Sequence, residues 1–497
     1  AALWTALLVV ELDALLGVYL AGQELLLFDQ IQLLSHGLRL AEDLGGAPAL
    51  GGIGLLLVAL GMLGVVAVRL FRVGLDAPGL RRVAPVLVLL GGAGALVGDG
   101  WPARWTATSL VPNVRTSVAV WSGLRQELGA NPNDQWTGVV LPRRPDVHVY
   151  IVESYGRILA EHDDARAAWF AQLHDLDVQL GEGGWHAASG WLVAPVSGGR
   201  SWIADASLLS GMRIQSSAVY THLAPTLSTR PSLPQSLAAA GYATVVVRPK
   251  DRQRPGLPLR DDFGWKHPVF SAEIDWTGPP WGWGEIPDQF SLGRLRDDVL
   301  PGIVGPRFVL FHGVSSHGPW RSVPAMVEDW RALPDVLEGA PGQESDSAPV
   351  DELLRQLRQY QRHEGKPVRD LVRSFDAAGA RYQASVHYGL RATVDHLVRW
   401  APDASAGDGA VVFVLGDHQP PILSRQDADG TLSFDVPLHV LATDPALLEP
   451  WVRWGFTAGM VPAIGPARLG HEDFYGAVMA AIVGDDQPVM GLDLAWQ

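Results

Sequence analysis

Polar residues follow three apolar runs of the sequence, and their types are suited to catalysis. The run VHVYIV is followed by Glu153, the run RFVLFHGVSS by His317, and the run AVVFVLG by Asp417 and His418. Because the carboxyl ends of parallel strands meet at one edge of a sheet, we expect these side chains to share a site there. A single polar strand end is common, whereas three with ligand-type residues indicate a common centre.

Two carboxylates and an imidazole make a ligand set for a divalent cation. The set suits Zn²⁺ or Mn²⁺, with Mg²⁺ as a third choice, and such an ion activates a hydroxyl group and polarises a phosphoryl oxygen. The best hydroxyl is that of Ser201, which follows Gly198-Gly199-Arg200 and opens a helical run. A helix N-terminus presents free N–H groups and positive potential to an anion. An ordinary helix cap is the alternative role for Ser201.

The elements that must position these residues alternate along the chain. Apolar, β-branched runs are typical of buried strands, and helical patterns lie between them. This alternation predicts an α/β fold with a doubly wound, mostly parallel sheet that is covered on both faces. The predicted strands are VHVYIVES (147–154), YATVVV (242–247), RFVLFHGV (307–314), AVVFVLG (410–416) and PLHVLAT (437–443), with helices at 232–241 and 384–401.

The N-terminal part of the chain contains three long apolar stretches, at 3–22, 51–70 and 83–98. Their lengths approach what a bilayer crossing needs, so they predict membrane-spanning helices. The connection 69–82 carries four arginines, Arg69, Arg72, Arg81 and Arg82, which favours a cytoplasmic location for it. The chain after the third stretch would then lie outside the cytoplasmic membrane.

The sequence therefore predicts three parts. These are a transmembrane helical region at 1–98, a connector at 99–146, and an extracytoplasmic catalytic domain at 147–497 with a charged insertion at 334–370. The net charge of −15 argues against a nucleic-acid partner, which would call for a basic surface. The absence of cysteine excludes disulfides, thiolate metal sites and a cysteine nucleophile.

The wording and order of several motifs resemble the lipoteichoic acid synthase-like phosphoglycerol transferases, which are membrane-anchored members of the sulfatase/alkaline phosphatase superfamily. The resemblance runs from about residue 147 to 445. The motifs are VHVYIVES, GGRSWIADASLLSG, AAAGYATVVVRP, DDFGW, WGWGEIPDQF, SSHGPW and LGDHQPP.

The resemblance implies roles for individual residues. Glu153, Ser201, Asp417 and His418 fall on the family's metal-site positions, and they imply one divalent cation, with Mn²⁺ favoured over Mg²⁺ or Zn²⁺. Ser201 also falls on the nucleophile, and His317 falls on a contact to the substrate phosphate. The reaction implied is transfer of a phosphorylated head group from a membrane phospholipid to a glycan or polymer acceptor, beside the lipid bilayer and through a phosphoserine.

Other residues bear on the substrate. In the relatives, a histidine follows the strand that corresponds to YATVVV (242–247). This chain has Arg248 there, and we expect its guanidinium to contact the anionic substrate. Trp320 and Trp202 adjoin the expected ligands and are candidates for walling the cleft or stacking on a sugar. Phosphoglycerol is favoured as the transferred group, and phosphoethanolamine is the alternative.

Two further alternatives stay open. One is a phosphodiesterase or sulfatase-type hydrolase of the same superfamily, although Ser201-Trp-Ile-Ala lacks the C/S-x-P-x-R pattern that sulfatases modify. The other is a membrane-anchored binding or scaffold protein with a degenerate site, which would be expected to lack one of the ligand residues.

Overall fold

The computed structural model describes residue 118 and residues 132–251, 263–318, 320, 323–338, 377–404, 407–420, 433–484 and 492–493. The chain divides into two compact units, one of residues 1–128, 216–219 and 496–497, and one of residues 129–215 and 220–495. The transmembrane helices predicted within 1–98 lie outside the described residues, as do most of the connector and most of the charged insertion. In the part of the chain that the structure describes, no helix combines the length and the apolarity that a membrane crossing requires.

The second unit is built on a mixed β-sheet, so the α/β class is confirmed. The strands are β1 Asp146–Val152, β2 His186–Val193, β3 Met212–Arg213, β4 Ala243–Arg248, β5 His267–Phe270, β6 Arg307–His312, β7 Ala410–Gly416, β8 Asp435–Ala442, β9 Thr457–Ala458, β10 Leu469–Gly470 and β11 Leu492–Asp493. The strand order is β10-β2-β8-β7-β1-β6-β4-β5, with β9 paired to β2, and β3 pairs separately with β11.

The central strands β7, β1, β6, β4 and β5 run parallel to one another. Strand β8 runs antiparallel to both of its neighbours, β7 and β2. The apolar run of β8 was expected in a mostly parallel sheet, and it is buried along nearly its whole length. A strand that is buried on both faces shows the same apolar pattern in either direction, so the pattern cannot reveal its orientation.

Helices cover both faces of this sheet. Tyr150 of β1 and Val414 of β7 are paired neighbours and share a face, so Phe413 lies on the opposite one. The Tyr150 hydroxyl lies 2.9 Å from Nε2 of His396 in the helix Ala377–Ala404, whereas the Phe413 ring meets Phe474 of the helix His471–Val483 with centroids 5.1 Å apart. The helices are α1 Ile158–Glu161, α2 Asp163–Glu182, α3 Ser201–Ser210, α4 Ser217–Leu227, α5 Leu233–Ala239, α6 Ser271–Ile274, α7 Asp288–Arg294, α8 Leu333–Leu337, α9 Ala377–Ala404, α10 Glu449–Arg453 and α11 His471–Val483.

Strand β1 is the rigid centre from which the candidate site is built. All seven of its residues are buried, and it pairs on both sides, with β6 and with β7. Burial of each Val or Ile side chain contributes about 1.5–3 kcal/mol relative to exposure. Side chains that directly follow β1, β6 or β7 are therefore anchored by strands that are buried along almost their whole length.

Gly416, the last residue of β7, is required by a close approach of two backbone segments. A Cβ atom at this position would collide with the carbonyl oxygen of Tyr155. We expect Gly416→Ala to lower the free energy of unfolding by about 1–3 kcal/mol or more, because backbone cannot move aside as a side chain can. Urea unfolding monitored by circular dichroism measures the loss.

The matched control is Gly181→Ala in helix α2. A Cβ atom there meets nothing within 4 Å. Alanine is the better helix former by about 0.5–1 kcal/mol, so this variant should be as stable as the original protein or more so. Equal stability of the Gly416 and Gly181 variants would contradict the collision.

Candidate active site

The carboxyl ends of the adjacent strands β7, β1 and β6 bring together the residues that the sequence singled out. Glu153 follows β1, and Asp417 with His418 follow β7, while His312 is the last residue of β6. All four side chains are buried. Nε2 of His418 lies 3.4 Å from Oε1 of Glu153 and 3.2 Å from Oδ2 of Asp417. The predicted metal ligands that follow β1 and β7 thus lie together in one buried cluster.

Ser201 completes this centre from a different element. Its Oγ atom lies 3.2 Å from Oε2 of Glu153 and 3.3 Å from Nε2 of His418. Ser201 is the first residue of helix α3, and the N-cap position belongs to Arg200, so a helix-cap role for the serine is wrong. Its hydroxyl faces the carboxylate and the imidazole instead of the helix backbone.

A left-handed bend in the backbone delivers Ser201 to this position. Gly198, Gly199 and Arg200 have φ values of 68°, 136° and 67°. A φ of 136° is open only to glycine, and a left-handed arginine stores strain that the surrounding fold must hold. Strained backbone of this kind concentrates at functional sites.

Asp417 is oriented by main-chain donors. Its Oδ1 atom accepts hydrogen bonds from the backbone N–H of Ser154 at 2.7 Å and of His418 at 2.9 Å. Ser154 adopts a left-handed conformation with φ of 57°, which turns its N–H towards the carboxylate. The His418 Nδ1 donates to the carbonyl of Gln419 at 2.8 Å, so Nε2 is left to face the site.

His312 and Asp205 belong to the site, although neither was predicted as a site residue from the sequence. Nε2 of His312 lies 3.2 Å from Oε2 of Glu153, and Nδ1 lies 3.1 Å from Oδ2 of Asp205. A histidine that donates one ring N–H to a carboxylate and points the other nitrogen at acidic oxygens has the geometry of a metal ligand. The sequence feature that could have indicated Asp205 is its spacing from Ser201, because residues four positions apart lie on the same face of a helix.

Burial and neighbouring charges perturb the titration of these groups strongly. Burial raises the pKa of Glu153, but the Lys250 charge and the His312 hydrogen bond outweigh it and hold that pKa well below its usual range. Burial and the Glu153 charge together raise the pKa of Asp417. Burial lowers the pKa of His312, but Asp205 outweighs it and raises the value to about 10. The centre is therefore crowded with negative charge that attracts a cation.

The donor atoms fit a divalent cation. One ligand atom from each of Glu153, His312 and Asp417 can be chosen so that all three lie within 4.8 Å of one another. Oδ2 of Asp417 is buried and makes no hydrogen bond within the described residues, although Nε2 of His418 lies 3.2 Å from it. A cation would supply that partner and relieve the repulsion between the carboxylates. His418 and Ser201 border the same oxygens, so all four sequence-predicted ligands lie around this position.

His317, predicted to contact the substrate phosphate, lies on the loop after β6. Its Nδ1 donates to the carbonyl of Gly318, and its ring stacks on Trp283 with centroids 3.8 Å apart. Burial lowers the pKa of His317 to about 4. Arg248, the predicted anion contact, lies 3.5 Å from Oδ2 of Asp205 and so helps to hold the carboxylate that orients His312.

The two predicted tryptophans occupy different environments. Trp320 is buried, and its Nε1 donates to the carbonyl of Ser316 at 2.7 Å. Its ring also packs edge-on against Tyr382, so its contacts are those of a core residue that braces the loop of His317. Trp202 is 41% exposed beside Ser201 and is available to a ligand.

Asp288, in the motif WGWGEIPDQF, anchors the same loop. Its Oδ1 atom accepts hydrogen bonds from the backbone N–H of Val314 at 2.8 Å and of Ser315 at 3.2 Å. We expect Asp288→Ala to lower the free energy of unfolding by about 1–3 kcal/mol, because two buried N–H groups lose their acceptor. Chemical denaturation measures this loss. Asp298→Ala is the control, because Asp298 is exposed and pairs with Arg294 at the surface. It should change the free energy of unfolding by less than about 1 kcal/mol. Equal losses would contradict the anchoring role.

No protein-family model matches this chain, and no curated protein matches it. The chain is similar to a solved structure of a protein in the alkaline phosphatase superfamily from Vibrio parahaemolyticus, with 13% identity over 72% of this chain and 71% of that one and a TM-score of 0.42.

It is also similar to the lipoteichoic acid synthase LtaP from Listeria monocytogenes, with 14% identity, coverage of 73% and 81%, and a TM-score of 0.42. A third similar structure is the soluble domain of lipooligosaccharide phosphoethanolamine transferase A from Neisseria meningitidis, with 12% identity, coverage of 70% and 92%, and a TM-score of 0.42. All three TM-scores lie below 0.5, so the geometry of the site, and not these likenesses, is the evidence on function.

Proposed function

We propose that this protein is a metal-dependent phosphotransferase that forms a phosphoserine on Ser201. The observation that carries the proposal is the Ser201 hydroxyl, which lies within 3.4 Å of both the Glu153 carboxylate and the His418 imidazole in a buried centre. A serine hydroxyl is a weak nucleophile until a neighbouring group or a cation favours its alkoxide. All the parts of an activated nucleophile are therefore gathered at one point.

Glu153, Asp417, His418 and His312 would hold one divalent cation, for which Mn²⁺ is our first choice. When bound, the cation favours the Ser201 alkoxide and neutralises negative charge on the phosphoryl oxygens. The serine proton has Oε2 of Glu153 as an acceptor at 3.2 Å. The degenerate-site alternative is disfavoured, because the expected ligands are present and converge.

The proposed transfer has two displacements at phosphorus. The Ser201 oxygen first bonds to the phosphorus of a phospholipid, and the bond from phosphorus to the diacylglycerol oxygen breaks. Diacylglycerol leaves with a proton. An acceptor hydroxyl of a cell-envelope glycan or polymer then bonds to the same phosphorus, the bond to Ser201 breaks, and the acceptor proton passes to the serine oxygen. Two displacements with a covalent intermediate divide one difficult step into two easier ones.

Phosphoglycerol is the preferred transferred group, and phosphoethanolamine is the second candidate. Lys250 lies 3.6 Å from Oε2 of Glu153, and Arg248 lies beside Asp205. These cations favour a head group that is neutral beyond its phosphate over one that carries an ammonium. A membrane-bound location, with the spans predicted within 1–98 and the catalytic domain on the outer side, would hold the site close to its lipid donor and raise the donor's effective concentration.

Mass spectrometry of the protein after incubation with phospholipid tests this function. Phosphatidylglycerol and phosphatidylethanolamine are supplied separately with Mn²⁺, and the mass added to the peptide that contains Ser201 identifies the transferred group. Transfer predicts one adduct on Ser201 and its loss when a glycan acceptor is added. Release of free head-group phosphate at an equal rate without acceptor would identify a hydrolase. Absence of reaction with every phospholipid would overturn the proposal.

A further inference from the structure

Tyr382, a buried residue near the start of helix α9, contacts the turn that follows β1. Its hydroxyl donates a hydrogen bond to the carbonyl of Ser154 at 2.8 Å and accepts one from the N–H of Gly156 at 3.0 Å. Burial raises the pKa of Tyr382, so the hydroxyl keeps the proton that it donates. One side chain from a distant helix therefore joins two main-chain groups of residues 153–156, a segment that we call the β1 turn.

The β1 turn carries two parts of the candidate active site. Its first residue is Glu153, and the N–H of Ser154 is one of the two main-chain donors that orient Asp417. Ser154 is left-handed, with φ of 57°. This conformation is unfavourable for a residue that has a Cβ atom, so contacts from outside the turn must hold it.

The Tyr382 hydroxyl is such a contact. The backbone of Ser154 and Gly156 is buried, and the carbonyl of the first and the N–H of the second would both lose this partner if the hydroxyl were removed. A buried main-chain group that loses its partner is unfavourable, so the turn would shift to regain one. Any rotation of the Ser154 backbone moves its own N–H away from Asp417 and carries Glu153 with it.

The tyrosine is itself held firmly. Its ring packs edge-on against Trp320, with centroids 5.1 Å apart. Helix α9 is fixed to the sheet a few turns further on, where Nε2 of His396 lies 2.9 Å from the hydroxyl of Tyr150 in β1. The Tyr382 hydroxyl therefore has a fixed position relative to β1 and supports the turn before any ligand arrives.

From these contacts we infer that Tyr382 is a positioning residue of the proposed metal centre. Its hydroxyl holds the β1 turn in the left-handed conformation that places Glu153 and, through the Ser154 N–H, Asp417 around one cation position. Tyr382 acts through the turn and does not touch the reacting atoms. Loss of a supporting hydrogen bond of this kind typically weakens metal binding about 10- to 100-fold. The inference rests on the proposed metal-dependent function.

Metal binding by the Tyr382→Phe protein tests the inference, because this change removes one oxygen atom and keeps the ring. Calorimetry measures the dissociation constant for Mn²⁺ without lipid, and we expect the constant to rise about 10- to 100-fold. Tyr242→Phe is the matched control, since Tyr242 is also buried and its hydroxyl makes no hydrogen bond within the described residues. If Tyr382→Phe binds Mn²⁺ as tightly as the original protein does, Tyr382 is a packing residue and the inference is wrong.

A second pair of variants tests whether Tyr382 acts through the β1 turn. Glycine adopts the left-handed conformation without a steric cost, so Ser154→Gly should make the turn less dependent on the hydroxyl. We expect Tyr382→Phe to weaken Mn²⁺ binding by a smaller factor in the Ser154→Gly protein than in the original one. The loss of the Ser154 hydroxyl is common to both members of the pair and cancels. Equal factors in the two backgrounds would overturn the inference.

The proposed function and the role of Tyr382 can fail separately, because Mn²⁺ affinity does not depend on transfer. A peptide containing Ser201 that carries no adduct after incubation with phospholipid would overturn the function alone. Unchanged Mn²⁺ affinity in the Tyr382→Phe protein would overturn the positioning role alone.

Discussion

Replacing Ser201 by alanine is expected to abolish the covalent adduct and to lower the rate of transfer by about 10⁴-fold or more. The reason is that the Ser201 hydroxyl, which contacts both Glu153 and His418, is the nucleophile proposed to attack phosphorus. Mass spectrometry of the peptide and the release of labelled diacylglycerol measure the two effects. Mn²⁺ affinity should fall far less than the rate, because the carboxylate and imidazole ligands remain.

Ser210→Ala is the matched control for this prediction. Ser210 lies on the same helix, but its hydroxyl donates to the carbonyl of Ala206 at 2.6 Å, within the helix itself. The same chemical change at this position should leave the adduct intact. Ser201→Thr keeps a hydroxyl and should retain part of the activity. An adduct that persists in the Ser201→Ala protein would assign the nucleophile to another residue.

Asp417→Asn is expected to remove Mn²⁺ binding and transfer together. Asparagine keeps an oxygen that accepts from the N–H groups of Ser154 and His418, but it loses the negative charge and the Oδ2 atom that faces the proposed cation position. The stability of the protein without metal should rise, because burial and the Glu153 charge penalise the ionised aspartate. Thermal melting with and without Mn²⁺ measures both effects. At a cation concentration of 100 times Kd, the original protein should gain about 2.7 kcal/mol and the variant nothing.

Asp395→Asn provides the control for loss of a carboxylate. Asp395 pairs with Arg399 on the exposed face of helix α9, and such pairs contribute about 0.2–1 kcal/mol. This variant should keep the full Mn²⁺-dependent rise in melting temperature. A chelator added to the original protein should reproduce the Asp417→Asn behaviour in transfer. A variant that still responds to Mn²⁺ would place the cation elsewhere.

The central strands could be predicted because their residues leave little choice of structure. Strands β1, β4, β6 and β7 are largely apolar runs of the right length, and a polar residue or glycine ends or directly follows each of them. Strand β2 was missed, because HAASGWLV mixes small and polar residues with apolar ones and resembles a loop. Its stability comes from pairing with β8 along eight residues, a tertiary effect that local pattern does not contain.

The candidate site was predictable only where chemistry coincides with a strand end. Glu153, Asp417 and His418 follow apolar runs and stand out as polar residues where a core strand stops. His312 lies inside such a run, and a histidine there is more often a core residue than a ligand. Asp205 lies on a helix between apolar neighbours. Only the fold shows that its carboxylate lies 3.1 Å from Nδ1 of His312.

The left-handed bend at Gly198, Gly199 and Arg200 has a consequence for redesign. The backbone torsion angles of these three residues set the position of residue 201, so the position of the nucleophile does not depend on which side chain residue 201 carries. A cysteine at position 201 should therefore inherit the same placement and present a thiolate to the same target. Alanine at Gly199 would leave the serine in the sequence and displace it in space. We therefore expect the site to accept a different nucleophilic side chain at position 201 but not a change in the backbone conformation of the bend.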